Sequence, residues 1–264
     1  MSESIESART TLIYTTLVMI LILGGSLGGV WIVTAPRLTK TPLDLPIPIV
    51  IIAAVALVGG AIYWIVWLFH TRARHTLLER VVVCAIRVYT LAMSIISLSI
   101  TAYWIPLVGT CLMGLILFAD LAGIYIVYLL PDSLWCVQVY SMEIAWTTYL
   151  LSIGALRTIS SKGLDSWLDR ASLICLPVVC LISILSGLIF LSWMGPLFVG
   201  IIIFGVLLQQ PSFTMQIEGY CLLALVVISS VGIGIYLALK GRTAPSEPER
   251  RLLLQRTSVQ LVPN

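Results

Sequence analysis

Residues 111–130 read CLMGLILFADLAGIYIVYLL, and only one of these twenty side chains, Asp120, carries a charge. Twenty residues of α-helix are about 30 Å long, which matches the hydrocarbon core of a bilayer. The stretch is therefore typical of a transmembrane helix with Asp120 near its centre. A charge at that depth costs about 2.5–3.5 kcal/mol on insertion scales, so we expect Asp120 to face the helix bundle and not lipid.

The composition of the whole chain agrees with this interpretation. Of the 264 residues, 59% are hydrophobic and 10% are charged, whereas a soluble domain carries about 25% charged residues. The apolar segments lie at 11–33, 47–69, 81–102, 106–130, 137–156, 171–192, 196–209 and 218–239. Seven of them are long enough to cross a bilayer as helices, and 196–209 is either a short, mismatched span or a re-entrant or interfacial piece.

The sequence thus predicts an all-α protein, a polytopic transmembrane helix bundle of seven or eight spans. The bundle occupies residues 11–239, after a short polar N-terminus at 1–10 and before a flexible tail at 240–264. Nothing indicates a soluble domain.

The distribution of Lys and Arg predicts the orientation, because short cytoplasmic loops carry an excess of basic residues. With eight spans, Arg9, the 72–80 loop and the tail share a side, which holds nine basic residues against five. With seven spans, the tail joins the 37–40 and 157–170 loops, and the counts are ten against four. Both models put the C-terminus in the cytoplasm, and the counts slightly favour seven spans.

Three ionisable residues inside predicted spans form a candidate site. Arg87 and Glu143 each lie seven residues into their spans, which start on the same side in either model. Both are about 10 Å deep, so the depths permit an ion pair, and Asp120 on the intervening helix competes for the same cation. The pattern predicts an intramembrane polar cluster, either a structural group that fixes helix register or a proton- or ion-coupled site.

A second pattern concerns helix packing. The first span contains GGSLGG, in which Gly24 and Gly28 form one GxxxG motif and Gly25 and Gly29 form another. Small residues at this spacing allow two helix backbones to approach closely. The partner helix belongs either to the same chain or to a second membrane protein.

The tail contains a short motif, Glu249-Arg250-Arg251-Leu252-Leu253-Leu254. Glu249, Leu253 and Leu254 match the acidic dileucine sorting signal that clathrin adaptors read. The alternative is a basic, leucine-bearing segment that rests on anionic lipid.

Several functions find no support in the sequence. There is no HExxH, GxSxG or P-loop pattern, and the two histidines, His70 and His75, make a poor metal site. We therefore expect no enzymatic activity, no cofactor and no metal. The basic residues are dispersed over loops and tail, so we expect no nucleic-acid partner.

Two features carry a resemblance to known proteins: Arg87-Val88-Tyr89 in a middle span, and the polar 157–170 loop followed by apolar spans. Together with the small loops and short tail, this layout resembles herpesvirus multi-spanning membrane proteins, namely the cytomegalovirus seven-transmembrane family and the gammaherpesvirus polytopic envelope proteins. The first family is distantly akin to Bax-inhibitor-like proteins, whose paired intramembrane aspartates are not matched here. Gln209-Gln210 stands where the first aspartate is expected, so a calcium-leak activity is not carried over.

We thus expect a non-enzymatic multi-pass protein of the endomembrane system or plasma membrane, acting through membrane-protein interaction and trafficking. The resemblance implies a viral envelope or host-modulating protein. The expected partners are the lipid bilayer, other membrane proteins and clathrin adaptors. The alternative is an ion channel or proton-coupled transporter that uses Asp120, Glu143 and Arg87.

Overall fold

The described part of the chain is helical. The structure is a computed structural model. It describes residues 41–70, 106–130, 134–210 and 212–239, together with the single helical positions 89, 92 and 96. The helices of these ranges are α1 (Ile47–His70), α2 (Pro106–Tyr128), α3 (Leu134–Ser161), α4 (Leu168–Phe190), α5 (Met194–Leu207) and α6 (Phe213–Leu239). A single 3₁₀ turn, Asp165–Trp167, leads into α4, and no strand occurs within the described ranges.

Four stretches of these helices are long and apolar enough to cross a membrane: Ile47–Trp64, Pro106–Tyr128, Asp165–Phe190 and Phe213–Leu239. The α5 helix is apolar but only 14 residues long. For the described residues, the prediction of an all-helical protein is confirmed, and so is the prediction of helices long and apolar enough to span a membrane. The predicted first span, 11–33, and nearly all of 81–102 lie outside the described residues.

The α3 helix is the centre of the bundle. It packs against α1, α2, α4 and α5, and 18 of its 28 residues are buried. By contrast, α6 buries five of its 27 residues. The α3 helix contains the predicted 137–156 span. It is nevertheless not among the four helices that are long and apolar enough to cross a membrane. Because other helices surround it, α3 can carry polar side chains that a lipid-facing helix could not.

Contacts between the helices establish their directions. The Thr147 hydroxyl of α3 donates to the Asp120 carboxylate of α2. Further along α3, the Thr158 hydroxyl oxygen lies 3.4 Å from the Thr110 hydroxyl oxygen, which is earlier in α2. The two helices are therefore antiparallel. Helix α1 also runs against α3, because its middle lies near Met142 and the segment before it lies near Arg157. The bundle therefore has two ends, which we call the Leu134 end and the Ser161 end after the limits of α3.

The short helix α5 reverses the chain inside the bundle. It begins beside Gln138 near the Leu134 end and finishes beside Leu45, nearer the Ser161 end. Helix α6 then runs back, with Ser230 bonded to the carbonyl of Trp193. Since Leu239 is nine residues beyond Ser230, α6 ends at the Leu134 end, where α1 also ends.

Two glycines of α5 permit its close contact with neighbouring helices. A Cβ atom at Gly195 would overlap the Ser141 hydroxyl of α3 and would lie 3.1 Å from the Ser141 carbonyl oxygen. A Cβ atom at Gly205 would lie 2.7 Å from Leu45 and 2.8 Å from Ile49. The contacts at both glycines are closer than van der Waals contact. A larger residue at Gly195 or Gly205 would therefore push the neighbouring elements apart.

We predict that Gly195→Ala destabilises the bundle by about 1–3 kcal/mol, the usual cost of overpacking a filled core. Unfolding in SDS titrations of detergent-solubilised protein, followed by tryptophan fluorescence, measures the difference. Gly114→Ala in α2 is the matched control, because a Cβ atom there meets nothing within 4 Å. Equal stability of the two variants would contradict the close α3–α5 contact.

Candidate functional site

The carboxylate of Asp120 lies inside the bundle. Its residue is 2% exposed, which is the orientation expected from the sequence. Thr147 of α3 is 5% exposed. Its hydroxyl donates a hydrogen bond of 2.9 Å to Asp120 Oδ2. The bond joins α2 to α3 near the middle of both helices, and it pairs two groups that would be costly to bury without a partner.

Glu143 lies on the same helix as this hydrogen bond. It is four residues before Thr147 and is half-buried, so one helical turn, about 6 Å along the axis, separates the two positions. Residues four apart occupy one face of a helix, which places Glu143 on the side of α3 that also meets Asp120. Both Asp120 and Glu143 have interaction partners.

The other residues predicted for functional sites fall elsewhere in the chain. Arg87, the expected cation of the cluster, lies outside the described residues, and so does its contact with either acid. The same holds for the packing motif, Gly24, Gly25, Gly28 and Gly29, and for the sorting motif, Glu249, Leu253 and Leu254. For these positions the sequence-based expectations stay predictions.

A second polar group on α3 holds the turn between α4 and α5. The Gln138 side-chain oxygen accepts hydrogen bonds from the Ser192 hydroxyl at 2.8 Å and from the backbone N–H groups of Trp193 and Met194 at 3.1 and 3.2 Å. Its amide group donates to the Leu191 carbonyl at 3.3 Å. One side chain thus satisfies most of a buried turn and the first N–H groups of α5, which would otherwise lack partners.

A third polar group lies towards the Ser161 end of α3. The Arg157 guanidinium is 3.7 Å from the Asp44 carboxylate, with Nη2 and Oδ1 as the nearest atoms. The Tyr149 hydroxyl donates to the Leu43 carbonyl at 2.8 Å. Both interactions connect α3 to the non-helical residues that precede α1.

These partners were not identified from the sequence, although a signal exists. Small or polar residues recur on α3 at 141, 145, 148 and 152, a spacing of four and three residues that defines one helix face. That pattern could have indicated a helix buried on several sides. It could not have identified Thr147 as the donor to Asp120, because that pairing depends on the relative height of α2 and α3.

Within the described residues, no group of three or more His, Cys, Asp or Glu side chains is arranged to hold a metal ion. The described site combines the Asp120 carboxylate, which accepts from the Thr147 hydroxyl, with the Glu143 carboxylate one turn away on α3. Such a pair can fix helix register or exchange protons.

Comparison of the chain with known protein families, curated proteins and solved structures finds no match. Function is therefore inferred from the residues and their geometry.

We predict that Thr147→Val destabilises the bundle by about 1–2 kcal/mol, because it removes an interhelical donor from a buried carboxylate. Thr148→Val is the matched control, since the Thr148 hydroxyl is also buried but donates within its own helix, to the Ile144 carbonyl. SDS titration of both variants measures the difference. If the control loses as much stability as Thr147→Val, the Asp120–Thr147 bond does not contribute as proposed.

Proposed function

We propose that this chain is a non-enzymatic, multi-pass membrane protein that acts by binding other membrane proteins and by directing their trafficking. The observation that supports the proposal is the use of the buried polar groups on α3. Thr147 joins α3 to α2, Gln138 joins it to the α4–α5 turn, and Arg157 joins it to the segment before α1. Each of these interactions stabilises the packing of helices.

The outer surface fits the same function. Helix α6 exposes large apolar side chains along its length, among them Phe213, Ile228 and Leu239. Such a surface contacts lipid or the spans of other membrane proteins. The herpesvirus-like layout is compatible with this class, in which the partners would be viral or host membrane proteins.

We further propose that the chain crosses the membrane eight times, with the short helix α5 as one crossing. The reversal by α5 brings the end of α6 to the same end of the bundle as the end of α1. The tail then shares a side with the 72–80 loop, and a first span at 11–33 adds Arg9 to that side. In this arrangement, the side of the membrane that carries the tail and the N-terminus holds nine basic residues and the other side holds five. This difference favours a cytoplasmic tail and N-terminus.

Tags placed at the two termini test this topology. We expect protease-protection or split-reporter assays to find both the N-terminal and the C-terminal tag in the cytoplasm. A tag at position 163, in the exposed turn after α3, is the matched control and should be protected. Termini on opposite sides would contradict eight crossings, and a tail in the lumen would contradict the orientation.

The trafficking function is tested through Leu253 and Leu254. Replacing both with Ala should raise the surface level of the protein, because adaptors would no longer retrieve it. Arg250→Ala with Arg251→Ala is the matched control, since it removes charge that favours anionic lipid but leaves the acid and both leucines. If only the control changes the distribution, the tail rests on lipid and is not a sorting signal. Co-purification in mild detergent followed by mass spectrometry should identify the membrane partners.

A second candidate function is supported by the position of Asp120. A buried carboxylate in the middle of a predicted span, one turn from the level of a second carboxylate, is an arrangement found in proton relays. The candidate is a channel or proton-coupled transporter that uses Asp120, Glu143 and Arg87. Replacing all three with apolar residues of similar size distinguishes the two functions. A structural cluster predicts a folded protein with unchanged interactions, and a coupling site predicts loss of pH-dependent flux in liposomes.

A further inference from the structure

A non-helical segment before α1 closes the Ser161 end of the bundle. We call residues 41–46, TPLDLP, the strap. Leu43 is 0% exposed and Leu45 is 6% exposed, and both belong to the main hydrophobic core. Tyr149, which contacts the strap, is twelve residues from the end of α3, or about 18 Å along its axis. The strap therefore enters the bundle, where irregular backbone is tolerated only when protein surrounds it.

Side chains from two elements fasten the strap. The Tyr149 hydroxyl donates to the Leu43 carbonyl at 2.8 Å, and the Gln210 amide, from the α5–α6 turn, donates to the Pro42 carbonyl. Among the described residues, the backbone hydrogen bonds between the strap and another element run from the Ile49 and Val50 N–H groups of α1 to the Pro46 carbonyl, where the strap continues into that helix. Residues 41–45 can therefore leave without breaking a backbone hydrogen bond of any described helix.

The charged contact of the strap is incomplete. The 3.7 Å between Arg157 Nη2 and Asp44 Oδ1 is too long for a hydrogen bond. Both Asp44 oxygens instead accept from Thr41, one from its backbone N–H and one from its hydroxyl, at 2.9 Å each. The Arg157 Nε–H is buried and has no hydrogen-bond partner among the described residues. The attraction of opposite charges, and not a fork of hydrogen bonds, holds this pair.

We propose that the strap is a displaceable closure of the Ser161 end, and that the Asp44–Arg157 pair is the latch that keeps it shut. In the closed state the Asp44 carboxylate offsets the buried Arg157 charge, but the Arg157 Nε–H has no hydrogen-bond partner among the described residues. In the open state water would solvate both groups, while Leu43 and Leu45 would lose their burial. Solvation of the charged groups favours the open state, whereas burial of Leu43 and Leu45 and the attraction between the two charges favour the closed state. The equilibrium between the two states therefore depends on the charge pair.

Opening is measured by the reaction of a cysteine in the strap with a membrane-impermeant maleimide. Leu45→Cys is introduced into the full chain in lipid nanodiscs, where both membrane faces are accessible, and mass spectrometry of the 41–46 peptide excludes signal from the native cysteines. Leu164→Cys is the reactive control, because Leu164 is 48% exposed beyond the same end of α3. Leu156→Cys is the protected control, because Leu156 is 0% exposed beside the latch.

The latch is then broken from either side. We expect Asp44→Asn or Arg157→Gln to accelerate labelling at position 45 by about tenfold or more, since either change leaves the other charge without its counterion. The two changes together should accelerate labelling no more than the larger single effect, because both remove one interaction. Thr41→Val, which removes the hydroxyl that donates to Asp44 but keeps both charges, should change the rate much less.

Three results would overturn the proposal. Position 45 could react as fast as position 164 in the otherwise unaltered protein, which would mean that no closed state exists. The two substitutions could act additively, which would mean that Asp44 and Arg157 stabilise the strap independently. Position 156 could become reactive together with position 45, which would mean that the bundle unfolds as a whole and the strap does not open separately.

Discussion

The polar side chains of α3 must be kept from lipid, and the arrangement of the other helices follows from that constraint. In hydrocarbon, each unsatisfied polar group costs several kcal/mol. Helix α3 buries Gln138, Ser141, Thr147, Thr148, Ser152 and Arg157. Four neighbouring helices cover this set, and the apolar side chains that face outwards belong largely to those neighbours and to α6. Among the long helices that the structure describes, the least apolar one is thus the most enclosed.

The same constraint explains the irregular segments. Both the α4–α5 turn and the strap place non-helical backbone inside the bundle, and in each case a polar side chain of α3 satisfies it. Gln138 bonds the turn near one end, and Tyr149 bonds the strap towards the other. In soluble proteins water would perform this function. Here one helix supplies the partners at both ends, which makes α3 the element on which the other connections depend.

The sequence predicts much of the fold because apolar length and charge spacing are local properties. The segments at 47–69, 106–130 and 171–192 agree with α1, α2 and α4 to within about three residues at each end. The inward orientation of Asp120 also follows from sequence, since a lone carboxylate in an apolar stretch has nowhere else to go. The partners Thr147, Gln138 and Asp44 could not be predicted in this way. They lie between 27 and 113 residues from the groups they bind on other elements, and their pairing depends on how the helices are staggered.

Crosslinking with a photoactivatable lipid analogue, read by mass spectrometry of the protein in bilayers, tests the central position of α3 most directly. The structure predicts adducts on outward side chains such as Ile189 of α4 and Ile228 of α6, which are 64% and 70% exposed. It predicts almost none on Tyr140 and Ile144 of α3, which are 0% exposed. Comparable labelling of α3 and α6 would contradict the account, because a helix with this many polar side chains would then face lipid.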